Sequence, residues 1–296
     1  MSGKVSEQSI RSLLFVPGSR PEFFAKAARS DVDAIIFDLE DAVAPQAKEE
    51  ARQAVAAELS GEEANKLRLV RINHPEEGCL QRDLAVLGCH GAQAIMIPKV
   101  VSPADLQEVD HYLAAFECAK GLDPDAISVV VVVESCLGLR NLYDILAKIP
   151  RARGASLATA EQGDLMYDLG GQWTADGRAL AYARGKLVCD ARAAGVDWLI
   201  DGAFMQLSND EDLTQECQLA RDLGFTAKVA IHPQQIATIN STFTPTMIEI
   251  ERARSLLQAM SNAEVEGLGA IRHQGMMADQ ANLRWAKRIL ALSKRE

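Results

Sequence analysis

Short apolar runs bounded by turn residues recur near positions 12–16, 34–39, 68–72, 94–97, 128–133, 155–159, 198–200 and 228–231, and segments of this length read as β-strands. Between them the apolar positions take a helical spacing, over Glu22–Arg29, Lys48–Leu59, Pro103–Lys120, Leu139–Lys148, Arg178–Ala194 and Asp210–Leu223. Alternating strand and helix predicts parallel strands joined by helical crossovers. The run Val129 to Val133 is apolar at every position, as suits a strand with helices on one side and barrel filling on the other. Eight such units in roughly 230 residues favour a closed (β/α)8 TIM barrel over a doubly wound sheet, which normally uses fewer strands for its length. From Thr244 onward the pattern changes to two helices, near 245–260 and 277–294, around a Gly-containing stretch from Ser261 to Gly275. The expected organisation is a barrel domain over residues 1–240 and a C-terminal helical extension over 241–296 acting as a lid.

At 48% hydrophobic and 24% charged, the 296 residues have the make-up of a globular chain. Lysine and arginine number 31 against 41 aspartate and glutamate, a formal charge of −10, which repels phosphate backbones and argues against a nucleic-acid partner. No apolar run approaches the roughly 20 residues needed to cross a bilayer. The start, Met1-Ser2-Gly3-Lys4, leads to Leu13-Leu14-Phe15-Val16 and Pro17-Gly18 without a small-residue cleavage pattern, so a cytoplasmic protein without a signal peptide is expected. The six cysteines, at 79, 89, 118, 136, 189 and 217, form no Cys-x-x-Cys pair. Neither a zinc ribbon nor a disulfide framework is expected, and the thiols read as reduced.

In such a barrel the chemistry gathers where the strands end. The predicted strands end in Asp38-Leu39-Glu40-Asp41, Arg71-Ile72-Asn73, Pro98-Lys99, Glu134, Asp201 and His232-Pro233, and the sixth is followed by Glu161 and Asp164. A solvent-facing strand end accounts for any one of these taken singly. As a set dominated by carboxylates, with no His pair at helical spacing and no thiolate pair, they suit a hard divalent cation with oxygen ligands, Mg²⁺. Because Mg²⁺ keeps several waters, Glu134 and Asp164 suffice as direct ligands, with Asp38, Glu40 and Asp41 acting around them or through water. Without a cation, so many carboxylates would repel one another and raise their own pKa values.

The stretch Arg11-Ser12-Leu13-Leu14-Phe15-Val16-Pro17-Gly18-Ser19-Arg20-Pro21-Glu22 is followed in order by Phe37-Asp38-Leu39-Glu40-Asp41-Ala42-Val43 with Lys48, Val70-Arg71-Ile72-Asn73, Ile97-Pro98-Lys99 and Glu134 with Gly138. Gly163-Asp164-Leu165, Ala230-Ile231-His232-Pro233-Gln234 and Phe243-Thr244-Pro245 complete the set. It resembles the citrate lyase beta subunit and its relatives in the HpcH/HpaI aldolase superfamily, above all the free-standing citramalyl-CoA and malyl-CoA lyases. The resemblance implies a carbon–carbon lyase acting on a 3-hydroxy-acyl-CoA, with Mg²⁺ at Glu134 and Asp164. It implies that Arg71 clamps the oxygens of the keto-acid part, that His232 walls the substrate, and that Phe15, Arg20 and Lys26 hold coenzyme A. On their own, Phe15 reads as a core residue and Lys26 as a solvated helix face. Gly275-Met276-Met277-Ala278-Asp279 resembles the family's Gly-x-Met-x-Asp segment, whose Asp reaches the active site of a neighbouring subunit. That makes Asp279 the candidate acid/base, whereas spacing alone equally fits an N-cap for a helix from Gln280. A lid acting between subunits implies a homo-oligomer, by likeness a trimer.

The reaction so implied is cleavage of (S)-citramalyl-CoA to pyruvate and acetyl-CoA, with citryl-CoA and malyl-CoA as alternative substrates. Departures such as Glu134-Ser135-Cys136 for the commoner Glu-Thr-Ala leave metal binding intact but bear on substrate identity. The cation stabilises the substrate alkoxide, Arg71 offsets charge, and Asp279 protonates the enolate once water is excluded. Lys99 reads as structural or charge-balancing. A metal-dependent aldolase for free 2-keto acids and a subunit of a citrate lyase complex are the competing readings.

Overall fold

The computed structural model describes residues 10–61, 66–88, 91–265 and 268–293; the readings of Met1 to Lys4, of Cys89 and of a last helix reaching position 294 lie wholly or partly outside them. In chain order the elements are β1 (Ser12–Pro17), α1 (Phe24–Arg29), β2 (Ala34–Asp38), α2 (Lys48–Leu59), β3 (Leu67–Arg71), α3 (Leu80–Leu84), β4 (Ala94–Ile97), α4 (Ala104–Lys120), β5 (Ser128–Val133), α5 (Cys136–Ala147) and β6 (Ala152–Leu157). They continue with α6 (Asp164–Leu169), α7 (Ala181–Ala193), β7 (Trp198–Asp201), α8 (Asp210–Leu223), β8 (Ala227–Ala230), α9 (Ile236–Phe243), α10 (Met247–Val265), β9 (Ile271–His273), β10 (Met276–Ala278) and α11 (Gln280–Leu292). β1 to β8 are all parallel and hydrogen-bonded in sequence order, and β8 returns to β1 through Ser12↔Lys228 to Leu14↔Ala230, which closes the barrel. The expected (β/α)8 barrel is the observed one.

Alternation along the strands fills its interior. Leu13, Ala34, Ile36, Leu67, Leu69, Met96, Val130, Val132, Ile200 and Val229 belong to one buried cluster, while the residues between them face the helices, as a closed parallel sheet requires. Every residue of β5 is buried, in keeping with its unbroken valine run. β6 differs from expectation: the strand placed at 155–159 spans Ala152–Leu157. Its pairing with β5 is irregular, Val129 opposing Ala152 but Val130 opposing Gly154. A bulge of this kind absorbs one extra residue. A Cβ on Gly154 would lie 2.8 Å from the Val130 side chain, so glycine lets the two strands close at that point.

The chain divides into two compact units between Ser241 and Thr242. The second packs α10 on α11 through Ile250, Ala253, Leu256, Met260, Ala286 and Ile289. Its connecting stretch, read from sequence only as Gly-containing, holds an antiparallel hairpin of β9 and β10. Gln274 and Gly275 at its tip have φ of 48° and 83°, the left-handed pair that a two-residue hairpin turn of type I′ demands. Among the described residues no helix is long and apolar enough to cross a membrane, and Cys79, Cys118, Cys136, Cys189 and Cys217 are free thiols.

Candidate active site

Strand parity decides which of the polar strand ends share an interior. Asp38 continues the inward set Ala34 and Ile36, Arg71 continues Leu67 and Leu69, and Glu134 continues Val130 and Val132. All three therefore emerge on the inside of the barrel, at its C-terminal rim. Asp201 and Lys228 have the opposite parity to Ile200 and Val229 and face the helices, where they meet Arg184 of α7 and Glu216 of α8. The Asp201 end of β7, one of the charged termini noted in sequence, is thus outside the rim.

Arg71 is fixed by its neighbours before any ligand arrives. Its Nε and Nη2 each donate to one oxygen of Asp38 at 2.7 Å. Both Asp38 oxygens also accept backbone N–H groups, from Glu40 at 3.0 Å and Ala42 at 3.1 Å, so the turn after β2 orients the carboxylate that orients the guanidinium. The Arg71 guanidinium lies 4.6 Å from the centre of the half-buried Phe15 ring. Its Nη1 is 3.0 Å from Glu40 Oε2, a charge contact without hydrogen-bond geometry. The side-on fork of Nε and Nη2 is therefore taken by Asp38, and the Nη1 and Nη2 end, with Glu40 beside Nη1, keeps further N–H donors.

Lys99 stands with φ of 58°, a left-handed conformation uncommon for a residue with a Cβ and found most often where function or packing imposes it. Its Nζ donates to Glu40 Oε1 at 2.6 Å and lies 3.5 Å from Asp41. Burial opposes the ammonium charge, but the hydrogen bond to Glu40 and the surrounding carboxylates outweigh it and hold its pKa up. Glu40 is itself shifted upward, chiefly by burial.

Glu134 carries the clearest chemical signal. Its side chain is buried, and its Oε2 has no hydrogen-bond partner. Burial, and then the charges of Glu40 and Asp164, push its pKa up to about 7 against the opposing pull of Arg71 and Lys99. Asp164 is the exposed first residue of α6, close enough for its charge to be felt at Glu134. The next segment is tightly placed: Ser135 caps α5 by accepting from Gly138 N–H at 3.0 Å, and a Cβ on Gly138 would stand 2.5 Å from the Val100 carbonyl oxygen. An electron-rich oxygen with no donor, among further carboxylates, is the environment a hard dication would relieve. No group of three or more His, Cys, Asp or Glu side chains among the described residues is placed to hold a metal. The unpartnered Glu134 oxygen, with the charge of Asp164 nearby, fits Mg²⁺, which takes one or two protein carboxylates and draws its other oxygens from water and substrate.

The remaining expected residues stand on separate elements. Arg20 is exposed, paired with Glu22 at 2.6 Å and stacked 4.9 Å from the Phe23 ring. Lys26 is exposed on α1. His232 caps the turn after β8, its Nδ1 accepting from Gln234 N–H at 3.3 Å, which places the proton of the neutral ring on Nε2. Asp279 caps α11, accepting from Ala281 N–H at 2.8 Å while its own N–H donates to Asn282. Sequence reading missed Asp168 of α6, whose Oδ2 accepts the Cys136 N–H at 2.6 Å; its position one helical turn after Asp164 was the available cue.

Comparison with known proteins agrees with this architecture. Residues 11–233 match the HpcH/HpaI aldolase/citrate lyase family, and residues 185–295 match the C–C bond lyases of the TIM-barrel fold. An L-malyl-CoA/beta-methylmalyl-CoA lyase of Rhodobacter capsulatus is 35% identical, over 95% of this chain and 93% of its own. A (3S)-malyl-CoA thioesterase of Cereibacter sphaeroides is 34% identical over the same shares. The crystal structure of CitE from Mycobacterium tuberculosis with magnesium, acetoacetate and coenzyme A superposes with a TM-score of 0.77 at 28% identity, covering 97% of this chain and 99% of that one.

Proposed function

Because the chain belongs to the HpcH/HpaI aldolase/citrate lyase family, we propose that it is a Mg²⁺-dependent lyase that cleaves the C2–C3 bond of a 3-hydroxy-acyl-CoA. Within that class we assign (S)-citramalyl-CoA as substrate and pyruvate and acetyl-CoA as products. The observation that carries the class is the partnerless, buried Glu134 oxygen beside Asp164 and Arg71. Glu134 and Asp164 would hold Mg²⁺, which when bound supplies Lewis-acid stabilisation of negative charge on the substrate oxygen. L-malyl-CoA is the rival substrate, favoured by the malyl-CoA lyase relative.

The chain's own residues then divide the remaining tasks. The Nη1 and Nη2 end of Arg71 takes the carboxylate of the keto-acid half, and Asp38 holds the guanidinium plane so that the fragment stays put as the bond breaks. When the hydroxyl proton passes to solvent and the oxygen becomes the keto group, the electrons of the C2–C3 bond pass to the thioester fragment as an enolate, which must be protonated at carbon by a group that is then reprotonated from solvent. We assign that donation to the carboxyl of Asp279, and we read the enzyme as a homotrimer in which the C-terminal unit serves as the lid. Phe15, Arg20 and Lys26 are assigned to the coenzyme A half and His232 to the site wall.

The test is to incubate the purified chain separately with (S)-citramalyl-CoA, L-malyl-CoA and citryl-CoA, with Mg²⁺ or with EDTA, and to quantify acetyl-CoA and the 2-oxo acid. Cleavage that needs Mg²⁺ is expected, fastest with (S)-citramalyl-CoA. Release of free coenzyme A thiol without acetyl-CoA would instead mark hydrolysis, as in the thioesterase relative. Cleavage unaffected by EDTA would end the metal assignment.

A further inference from the structure

The two carboxylates assigned to the cation stand on separate segments. Glu134 follows β5 and lies two residues before Cys136, the first residue of α5; Asp164 opens α6. α6 is a six-residue helix with Asp164, Tyr167, Asp168 and Leu169 exposed and only Leu165 and Met166 buried, so it has little packing of its own to fix its place. A hydrogen bond links the segments: the Cys136 N–H donates to Asp168 Oδ2 at 2.6 Å. It is charge-assisted, and it puts a carboxylate on the positive end of α5, where an anion is stabilised. Residues four apart share a helix face, so the face of α6 that is tied to α5 is also the face that carries Asp164.

We propose that Asp168 is a positioning residue for the metal site, which through Cys136 N–H sets the separation of Glu134 and Asp164 and thereby the affinity for Mg²⁺. The inference rests on the assignment of those two carboxylates to the cation. Asp168 acts through other residues, and its loss should be felt as weaker binding of the ion, made good by more of it.

The experiment is calorimetric titration of MgCl₂ into the full-length protein and its Asp168→Ala, Asp168→Asn and Glu134→Gln variants, with turnover measured as a function of Mg²⁺ concentration. Asp168→Ala is expected to weaken Mg²⁺ binding by about tenfold or more, the usual effect of removing a group that orients a metal ligand. Its kcat at saturating Mg²⁺ should match that of the unmodified protein. Asp168→Asn, which keeps an acceptor oxygen but loses the charge, should weaken binding by about threefold. Mg²⁺ affinity of Asp168→Ala within about twofold of the parent, or a lost kcat that saturating Mg²⁺ does not restore, overturns the proposal. Should Asp168→Ala fail to fold, unchanged affinity in Asp168→Asn overturns it equally. Glu134→Gln separates the two ideas: if it leaves Mg²⁺ affinity intact, the metal assignment has failed, whatever Asp168 does.

Discussion

Two clusters of charged side chains are built into the same eight-stranded barrel, and they are resolved in opposite ways. On the outer face of β7 and β8, Lys228 Nζ donates to Asp201 at 2.7 Å, to the Gly202 carbonyl at 2.7 Å and to Glu216 at 2.5 Å. Arg184 completes the set through both Asp201 oxygens, at 2.8 and 3.2 Å. Two cations meet two carboxylates, all four buried. Lys228 and Arg184 hold the Asp201 pKa down although burial alone would raise it. On the inner rim, the carboxylates of Asp38, Glu40 and Asp41 pair with Arg71 and Lys99, Glu134 feels the charges of both cations and of Glu40 and Asp164, and among the described residues one Glu134 oxygen has no hydrogen-bond partner. Buried charge is tolerated where it is matched and hydrogen-bonded; where it is left unmatched, folding has been made to carry a cost that a ligand can remove. The difference separates a structural cluster from a chemical one more sharply than residue type does, since both contain the same kinds of side chain.

That contrast breaks if the two clusters respond alike to substitution. The largest effect expected is on turnover: Glu134→Gln should lower kcat/KM on the order of 10³-fold, several kcal/mol of lost charge stabilisation, read in a Mg²⁺-dependent lyase assay. Next, Lys228→Met strands two buried carboxylates on one arginine and should cost about 3–5 kcal/mol in urea unfolding, with turnover per folded molecule preserved. Third, in the absence of divalent cations Glu134→Gln should raise stability at pH 8 by on the order of 3 kcal/mol, the counterpart of a carboxyl moved from 4.5 to about 7. The sign follows from the direction of that shift. The folded state binds this proton more tightly than the unfolded chain, so the contribution is whole below pH 4.5 and is lost as pH rises through about 7. Glu134→Gln should flatten that slope, and Mg²⁺ should raise the Tm of the parent more than that of the variant. The smallest effect tests Lys99: Lys99→Gly and Lys99→Ala both lose the ion pair to Glu40, but only glycine relieves the backbone at φ 58°. Glycine should be the more stable of the two by about 1 kcal/mol in thermal unfolding.

Most of the barrel was legible because most of its strands are short, largely apolar runs. β4 and β5 fall where the pattern put them, and α2 and α8 match to the residue. β6 was shifted because Arg151 and Arg153 come just before Gly154 in a stretch that looks like a turn; Arg151 instead pairs with Asp110 and Glu117, and a bulge takes up the extra residue. The hairpin of β9 and β10 is too short, at three residues a strand, for alternation to announce it. Within the site, the rule that polar strand ends gather on the rim found Asp38, Arg71 and Glu134 but also drew in Asp201. Parity would have excluded Asp201, yet in the four residues Trp198–Asp201 an apolar residue at each of the first three positions hides which face is which. Phe15 and Arg71 were legible singly, their stacking was not, because it depends on how far each strand is staggered against the next.

The doubly held guanidinium of Arg71 has a stereochemical consequence. Asp38 holds one edge of the plate, the Phe15 ring covers one face and Glu40 stands 3.0 Å from Nη1, so the directions from which an anion can meet the guanidinium are restricted before it arrives. Were the proposed substrate's carboxylate pinned there, with its oxygens at the Glu134 side as a second point, the third substituent of its chiral carbon would have one place to go, and its mirror image would have to point the wrong way. Handedness would then be read by the rigidity of an arginine, before the width of any pocket comes into play.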